Sequence, residues 1–194
     1  MGATREALDE LSGGSDRTRT RAALAFADAR HAGQRRKGDG APYVLHPVEV
    51  GWLLHEEGYA DEVIAAGVLH DVLEDTRIDR AELEQRFGPH VAALVASLSE
   101  DDSIADEAER KAALREQVAH AGDEAAAIFA ADKVSKAREL RGRAAAGPID
   151  AADRLKLDHY EHSCELLDEL MPNHPLVASL HLEVDALRAL TGER

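Results

Sequence analysis

Residues 63–69 read VIAAGVL, and residues 70–76 read HDVLEDT. The apolar run suits a buried helix. It nevertheless runs straight into a histidine and three carboxylates, where charge is costly unless something compensates it. Alanine and leucine dominate the apolar residues of the chain, and aromatics make up only 4%. That balance favours helices over strands. No alternating strand pattern of useful length occurs, and there is no internal repeat. The expected architecture is therefore all-α.

The 194 residues are enough for one domain with a substantial core. Residues 1–15 contain SGGS and read as a flexible N-terminal tail, with the domain proper at 16–194. A helical stripe is expected from Asp16 to about Ala32. The glycines and Pro42 of GQRRKGDGAPYVLHP make the next stretch a loop. Pro47 fits the first turn of a following helix. Asp61 opens another, expected to continue to Asp75. Asp79 and Glu82 have capping-box spacing. Gly88 and Pro89 end one helix and start the next. Further helices are expected near 106–120, 123–141, 150–170 and 175–191, with GRAAAGP as a connector. The total is about nine or ten helices.

The net charge of −15 argues against a nucleic-acid partner, which needs a basic surface, and against an anionic membrane. The basic residues are unevenly placed, however. Residues 17–37 carry seven Lys/Arg against one acid. Either a small anionic ligand binds there or the segment is a solvated helix face. Cys164 is the only cysteine, so no internal disulfide can form, and its helical setting reads as a small buried hydrophobe. No segment reaches the length of a membrane span, and the N-terminus does not resemble a signal peptide. The expected location is cytoplasmic.

On a helix, positions i, i+1, i+4 and i+5 form one patch. His70, Asp71, Glu74 and Asp75 hold those positions, with Val72 and Leu73 opposite. Carboxylates near a helix C-terminus oppose its dipole by ~0.3–1 kcal/mol each. A divalent cation would reverse that penalty, because imidazole and carboxylate ligate Mn²⁺, Fe²⁺, Co²⁺ and Zn²⁺. A solvated helix end near Arg77 is the plainer alternative. His46 is a further candidate ligand, or else a capping or core residue. Asp132 follows AAAIFAA, whose composition suggests a buried helix, so it needs a partner. That partner is a metal or Lys136, four residues on. His31, His90, His120, His159, His162, His174 and His181 suggest no role.

Taken together, several segments resemble the HD-domain superfamily, and more closely the hydrolase domain of RelA/SpoT-type enzymes and the small hydrolase-only SpoT homologues. The pattern AHxGQxRK is matched by ARHAGQRRK at 29–37, and G-x-PYxxHP by GAPYVLHP at 40–47. LHDVxEDT is matched by LHDVLEDT at 69–76, and ADKxxNxxxL partly by ADKVSKAREL at 131–140. FG followed by an apolar helix is matched at 87–98, and the HYEHSCELLDEL segment is similar to the C-terminal helix of the small homologues.

The resemblance implies an HD-type helical bundle that hydrolyses (p)ppGpp at its 3′-pyrophosphate. It implies that His46, His70, Asp71 and Asp132 hold one metal, usually Mn²⁺. Glu74 and Asp75 would orient and deprotonate the attacking water. Arg36 would stack on the base, Lys37 would lie near phosphate, Tyr43 would shape the base pocket, and Arg138 would lie on the phosphate side. The expected partner is a small-molecule nucleotide, with a homodimer left open. Too short for a synthetase domain as well, the chain is expected to break the alarmone down and not to make it. One position departs from the pattern: Lys136 stands where the family has an asparagine that helps hold the ribose. A lysine there could contact phosphate or pair with Asp132 and compete with the metal. The alternatives are thus an HD-type phosphatase acting on another phosphorylated nucleotide such as NADPH, or a nucleotide-binding module with weak turnover.

Overall fold

A computed structural model of the protein describes Leu11 and residues 17–192. Apart from Leu11, which is buried, the expected tail at 1–15 lies outside the described residues. Among the described residues there are ten helices: α1 (Thr18–Arg30), α2 (Leu45–Glu56), α3 (Asp61–Leu69), α4 (Val72–Asp75), α5 (Arg80–Phe87), α6 (Pro89–Ser97), α7 (Glu107–Ala121), α8 (Asp123–Ala146), α9 (Ala151–Leu170) and α10 (Pro175–Thr191). No strand forms among them, and one isolated antiparallel bridge joins Arg35 to Pro42. The all-α expectation holds.

The helices group into two compact units. The first ends at Arg36 and resumes over Ala41–Ser99, and the second comprises Lys37–Gly40 with Glu100–Arg194.

In the first unit α3 is central, packing on α1, α2 and α6. Every residue of α3 from Val63 to Leu69 is buried, which is why the sequence there is unbroken apolar. Two glycines let α2 and α3 approach closely. A β-carbon on Gly51 would stand 2.6 Å from Val68 Cγ2, and one on Gly67 would collide with Leu54 Cδ1. Asp61, the first residue of α3, also caps α1. Its carboxylate accepts from the Arg19 and Thr20 backbone N–H groups at 2.8 and 3.0 Å, and from the Thr20 hydroxyl at 2.6 Å. Asp79 caps α5 through the Glu82 N–H at 2.8 Å, as its spacing predicts.

In the second unit α8 is central, packing on α7, α9 and α10. It is buried without interruption from Ala125 to Ser135. The expected end near 141 is overrun, because α8 continues through Ala146 and absorbs most of the GRAAAGP segment. Two causes are visible. Its alanines are the best helix formers, and Arg143 pairs with the buried Asp153 of α9, holding the last turns down. Asp106 and Asp150 cap α7 and α9. Cys164 is buried on α9, and burial pushes its thiol up to about 12, as suits a packing residue.

Candidate metal centre

Three side chains of the first unit converge where α3 ends. His46 is the second residue of α2, while His70 and Asp71 follow the last residue of α3. All three are buried, with only 3–4% of their surface exposed. His46 Nε2 lies 3.2 Å from His70 Nε2 and 3.4 Å from Asp71 Oδ2, and His70 Nε2 lies 3.1 Å from Asp71 Oδ1. The close packing permitted by Gly51 and Gly67 is what brings the start of α2 to the end of α3.

The tautomer of His70 follows from its partner. Its Nδ1 is 2.7 Å from the Gly67 carbonyl oxygen. A carbonyl only accepts, so Nδ1 carries the hydrogen, and in the neutral ring the Nε2 lone pair faces His46 and Asp71. A lone pair, a second imidazole nitrogen and a carboxylate within 3.4 Å of one another require a proton or a cation among them. Ligand atoms about 2.1 Å from a shared ion stand roughly 3.0–3.4 Å apart at right-angled to tetrahedral geometry. The 3.2 Å between the two imidazole nitrogens falls in that range, one Asp71 oxygen lies within 3.4 Å of each, and a histidine whose outer nitrogen is fixed by a carbonyl is the usual form of a metal-ligating imidazole. The cluster therefore fits a divalent metal.

The expected continuous helix over 61–75 is broken at this point. His70 and Asp71 form a turn, with Asp71 at φ −90°, ψ −5°, and α4 restarts at Val72 as a single turn. The His70 side chain takes the Gly67 carbonyl, and the backbone opens only slightly here: His70 keeps helical torsions at φ −56°, ψ −34°. The break divides the charged segment. His70 and Asp71 are buried, whereas Glu74 and Asp75 are exposed.

The loop before α2 braces both halves. Tyr43, half-buried, donates its hydroxyl to Asp71 Oδ2 at 2.5 Å. Burial, followed by the charge of Asp71, raises its pKa, so the hydroxyl stays a donor. Gln34 Nε2 donates to the Asp75 carbonyl at 3.1 Å, which leaves Gln34 Oε1 to accept from His31 Nδ1 at 2.8 Å. Arg36 is half-exposed, and its backbone N–H donates to the Ala41 carbonyl at 2.9 Å.

In the second unit, Asp132 sits on the buried centre of α8 with 4% exposure. Two lysines flank its carboxylate: Lys133 Nζ donates to Oδ2 at 2.6 Å, and Lys136 Nζ stands 2.9 Å from Oδ1 as an ion pair without hydrogen-bond geometry. The pairing of Lys136 with Asp132 is one of the two outcomes that the helical spacing allows. Lys37 is exposed. Arg138 Nε donates to Glu183 Oε1 at 3.1 Å, so part of its charge is already compensated.

A cavity of about 230 Å³ also lies within this unit, with Lys111, Arg115, Lys156 and His159 in its wall. Arg115 donates to His159 Nδ1 at 2.7 Å, since a guanidinium has no acceptor. The hydrogen of the neutral ring is therefore on Nε2, which is buried without a hydrogen-bond partner. Burial lowers the His159 pKa, and the charges of Lys133, Lys111 and Arg115 lower it further. Burial is the larger cause, and the cavity wall carries Glu107 and Asp158 beside its cationic side chains.

An HD-domain family model matches residues 23–161. The chain belongs to the HD-domain family. Human guanosine-3′,5′-bis(diphosphate) 3′-pyrophosphohydrolase MESH1 is 38% identical over 130 residues, 66% of this chain and 72% of the human protein. Its zebrafish counterpart is 39% identical over 118 residues, and this chain spans 65% of that relative's length. A solved structure described as a metazoan ortholog of SpoT that hydrolyses ppGpp aligns with a TM-score of 0.73 at 29% identity, covering 91% of this chain and 97% of that one. The HD-type all-α architecture expected from the motifs is thereby shown, and with it a hydrolase fold.

Sequence reasoning missed Lys133, Gln34, Arg115 and His159. Lys133 adjoins Asp132 in a quoted motif, which was the available signal, whereas Gln34 lies in a quoted motif but 41 positions from Asp75. Arg115 and His159 lie 44 positions apart on different helices, and neither carries a local cue.

Proposed function

We propose that this protein is a divalent-metal-dependent guanosine-3′,5′-bis(diphosphate) 3′-pyrophosphohydrolase. Water attacks the phosphorus bonded to the ribose 3′ oxygen, the P–O bond to that oxygen breaks, and the oxygen leaves with a proton. The products are pyrophosphate and GDP, or GTP from the pentaphosphate. The carrying observation is the buried cluster of His46, His70 and Asp71, in a chain of the HD-domain family whose relatives bear this activity in their names.

His46, His70 and Asp71 hold the metal, and Asp132, from the ADK motif, is the fourth ligand. Mn²⁺ is the metal. When bound, it lowers the pKa of water and draws charge from phosphate oxygens. Tyr43 and the Gly67 carbonyl hold Asp71 and His70 in ligating orientation. Glu74 and Asp75, exposed beside the buried pair, orient the water and accept its proton. Gln34 fixes the backbone of Asp75.

Arg36 and Lys37 contact the nucleotide, Arg36 on the base and Lys37 near phosphate, while Arg138 lies on the phosphate side. No helix among the described residues is long and apolar enough to cross a membrane, which suits a free nucleotide as substrate in the cytoplasm. The hydrolase domain covers 16–194.

The test is conversion of guanosine tetraphosphate by purified protein with Mn²⁺, followed as pyrophosphate release. His70→Ala and Asp71→Ala are expected to abolish it. No release by the wild type at micromolar enzyme would refute the alarmone reading. One observation favours a second substrate: Lys136 stands where the family pattern has the ribose-holding asparagine. Phosphate release from NADPH in place of pyrophosphate from the alarmone would decide for that alternative.

A further inference from the structure

The second unit contains a charge arrangement that its position in the motif does not require. A single buried carboxylate, Asp132, has an ammonium on each oxygen, Lys133 Nζ at 2.6 Å and Lys136 Nζ at 2.9 Å. One negative charge thus faces two lysines, and the two differ in freedom. Lys133 is 4% exposed and packs its ammonium 4.4 Å from the centre of the Phe129 ring, so it is fixed in the core. The Lys136 side chain is 35% exposed. Its ammonium can leave the carboxylate and be rehydrated at once, on a flexible four-carbon stem.

We propose that Lys136 is a latch on Asp132, closing on the carboxylate before metal binds and releasing it to engage an anionic phosphate once metal is bound. The inference rests on the reading of Asp132 as a metal ligand. A divalent ion drawing on Asp132 meets like charge from Lys136 at ion-pairing distance, so the two compete for one carboxylate. The lysine is the partner that can move. Once displaced, it remains on the same face of α8 as Asp132, four residues on, and carries an unspent positive charge. A phosphate oxygen of the substrate is the group that then satisfies it. Metal and polyphosphate therefore bind cooperatively through Lys136: the anion that takes the ammonium removes the competitor for the metal. A neutral asparagine at the same position can neither compete with the metal nor couple the two ligands.

The test uses the full chain, stripped of metal, as wild type, Lys136→Met, Lys136→Asn and Lys136→Arg. Mn²⁺ binding is measured by titration calorimetry without substrate. Lys136→Met and Lys136→Asn are expected to bind Mn²⁺ at least about tenfold more tightly than wild type, while Lys136→Arg, which keeps the charge, stays near wild type. At saturating Mn²⁺, inorganic pyrophosphate is expected to bind Lys136→Met about tenfold more weakly than wild type, the worth of one charge-assisted hydrogen bond. Thermal melts confirm folding, since Lys136 lies outside the core. Equal Mn²⁺ affinity in wild type and Lys136→Met would overturn the latch, and equal pyrophosphate affinity would overturn its coupling to substrate. A different failure, Mn²⁺ binding by none of the proteins, would count against the metal reading itself.

Discussion

Tyr43→Phe separates two roles for one residue. The motif resemblance implies that Tyr43 shapes the base pocket, while the structure has its hydroxyl on Asp71 Oδ2 at 2.5 Å. Phenylalanine keeps the ring, including its tilted packing on His31 with centroids 4.9 Å apart, and removes only the donor. Asp71 is buried, so its carboxylate loses a partner where water cannot easily replace it. Hydrogen bonds to charged groups contribute about 1.5–3 kcal/mol. A domain of this size shifts its melting temperature by about 2–4 °C per kcal/mol. The metal-free variant should therefore melt about 3–12 °C below wild type. Removing a partner that orients a ligand typically weakens metal binding by about 10–100-fold. Differential scanning fluorimetry of the metal-free proteins and Mn²⁺ calorimetry measure both effects. Unchanged melting together with unchanged Mn²⁺ affinity would refute the positioning role. A raised KM with metal binding intact would return Tyr43 to the base pocket.

The exposed carboxylates and the buried cavity histidine give further expectations. Glu74→Gln and Asp75→Asn should each lower turnover at least about 100-fold, the low end for general acid–base catalysis, with Mn²⁺ affinity little altered. Weakened metal binding in either variant would make that residue a ligand. His159, only 5% exposed, has a folded pKa below its ordinary value of about 6.5, so its contribution to stability is present above pH 6.5 and is lost as pH falls. Between pH 6.5 and 5.5 the loss amounts to about 1 kcal/mol. His159→Phe should remove that slope from urea midpoints measured across the range, and a slope equal to wild type's would show that His159 titrates normally.

The helices were legible because local chemistry specifies them. Asp79 with Glu82, and Gly88 before Pro89, mark boundaries that the structure reproduces. The errors fall where tertiary contacts override a local pattern. GRAAAGP contains two glycines and a proline, which read as a connector. Three alanines and the Arg143–Asp153 pair nonetheless carry α8 through Ala146. The division into two compact units falls at Ser99–Glu100, inside a polar stretch that reads as an ordinary connection between helices. The same holds for the site. His46, His70 and Asp71 were legible as types and spacings, and their convergence depends on Gly51 and Gly67, which read merely as small residues in apolar helices.

The break at His70 and Asp71 links these observations. An unbroken helix over 61–75 would set His70, Asp71, Glu74 and Asp75 on one continuous stripe, with all four carboxylate and imidazole groups sharing one environment. Such a stripe cannot serve two chemistries. A metal ligand needs burial and fixed orientation, whereas a group that accepts a proton from water needs access to it. By taking the Gly67 carbonyl, the His70 side chain fixes its own tautomer. The first two residues then face inward and are 4% exposed, while the next acidic pair stays at the surface. That one side-chain hydrogen bond leaves the His70 Nε2 lone pair facing His46 and Asp71, while Glu74 and Asp75 stay open to water. On the proposed function, this short interruption is what would let one seven-residue motif hold a metal with its buried pair and activate water with its exposed pair.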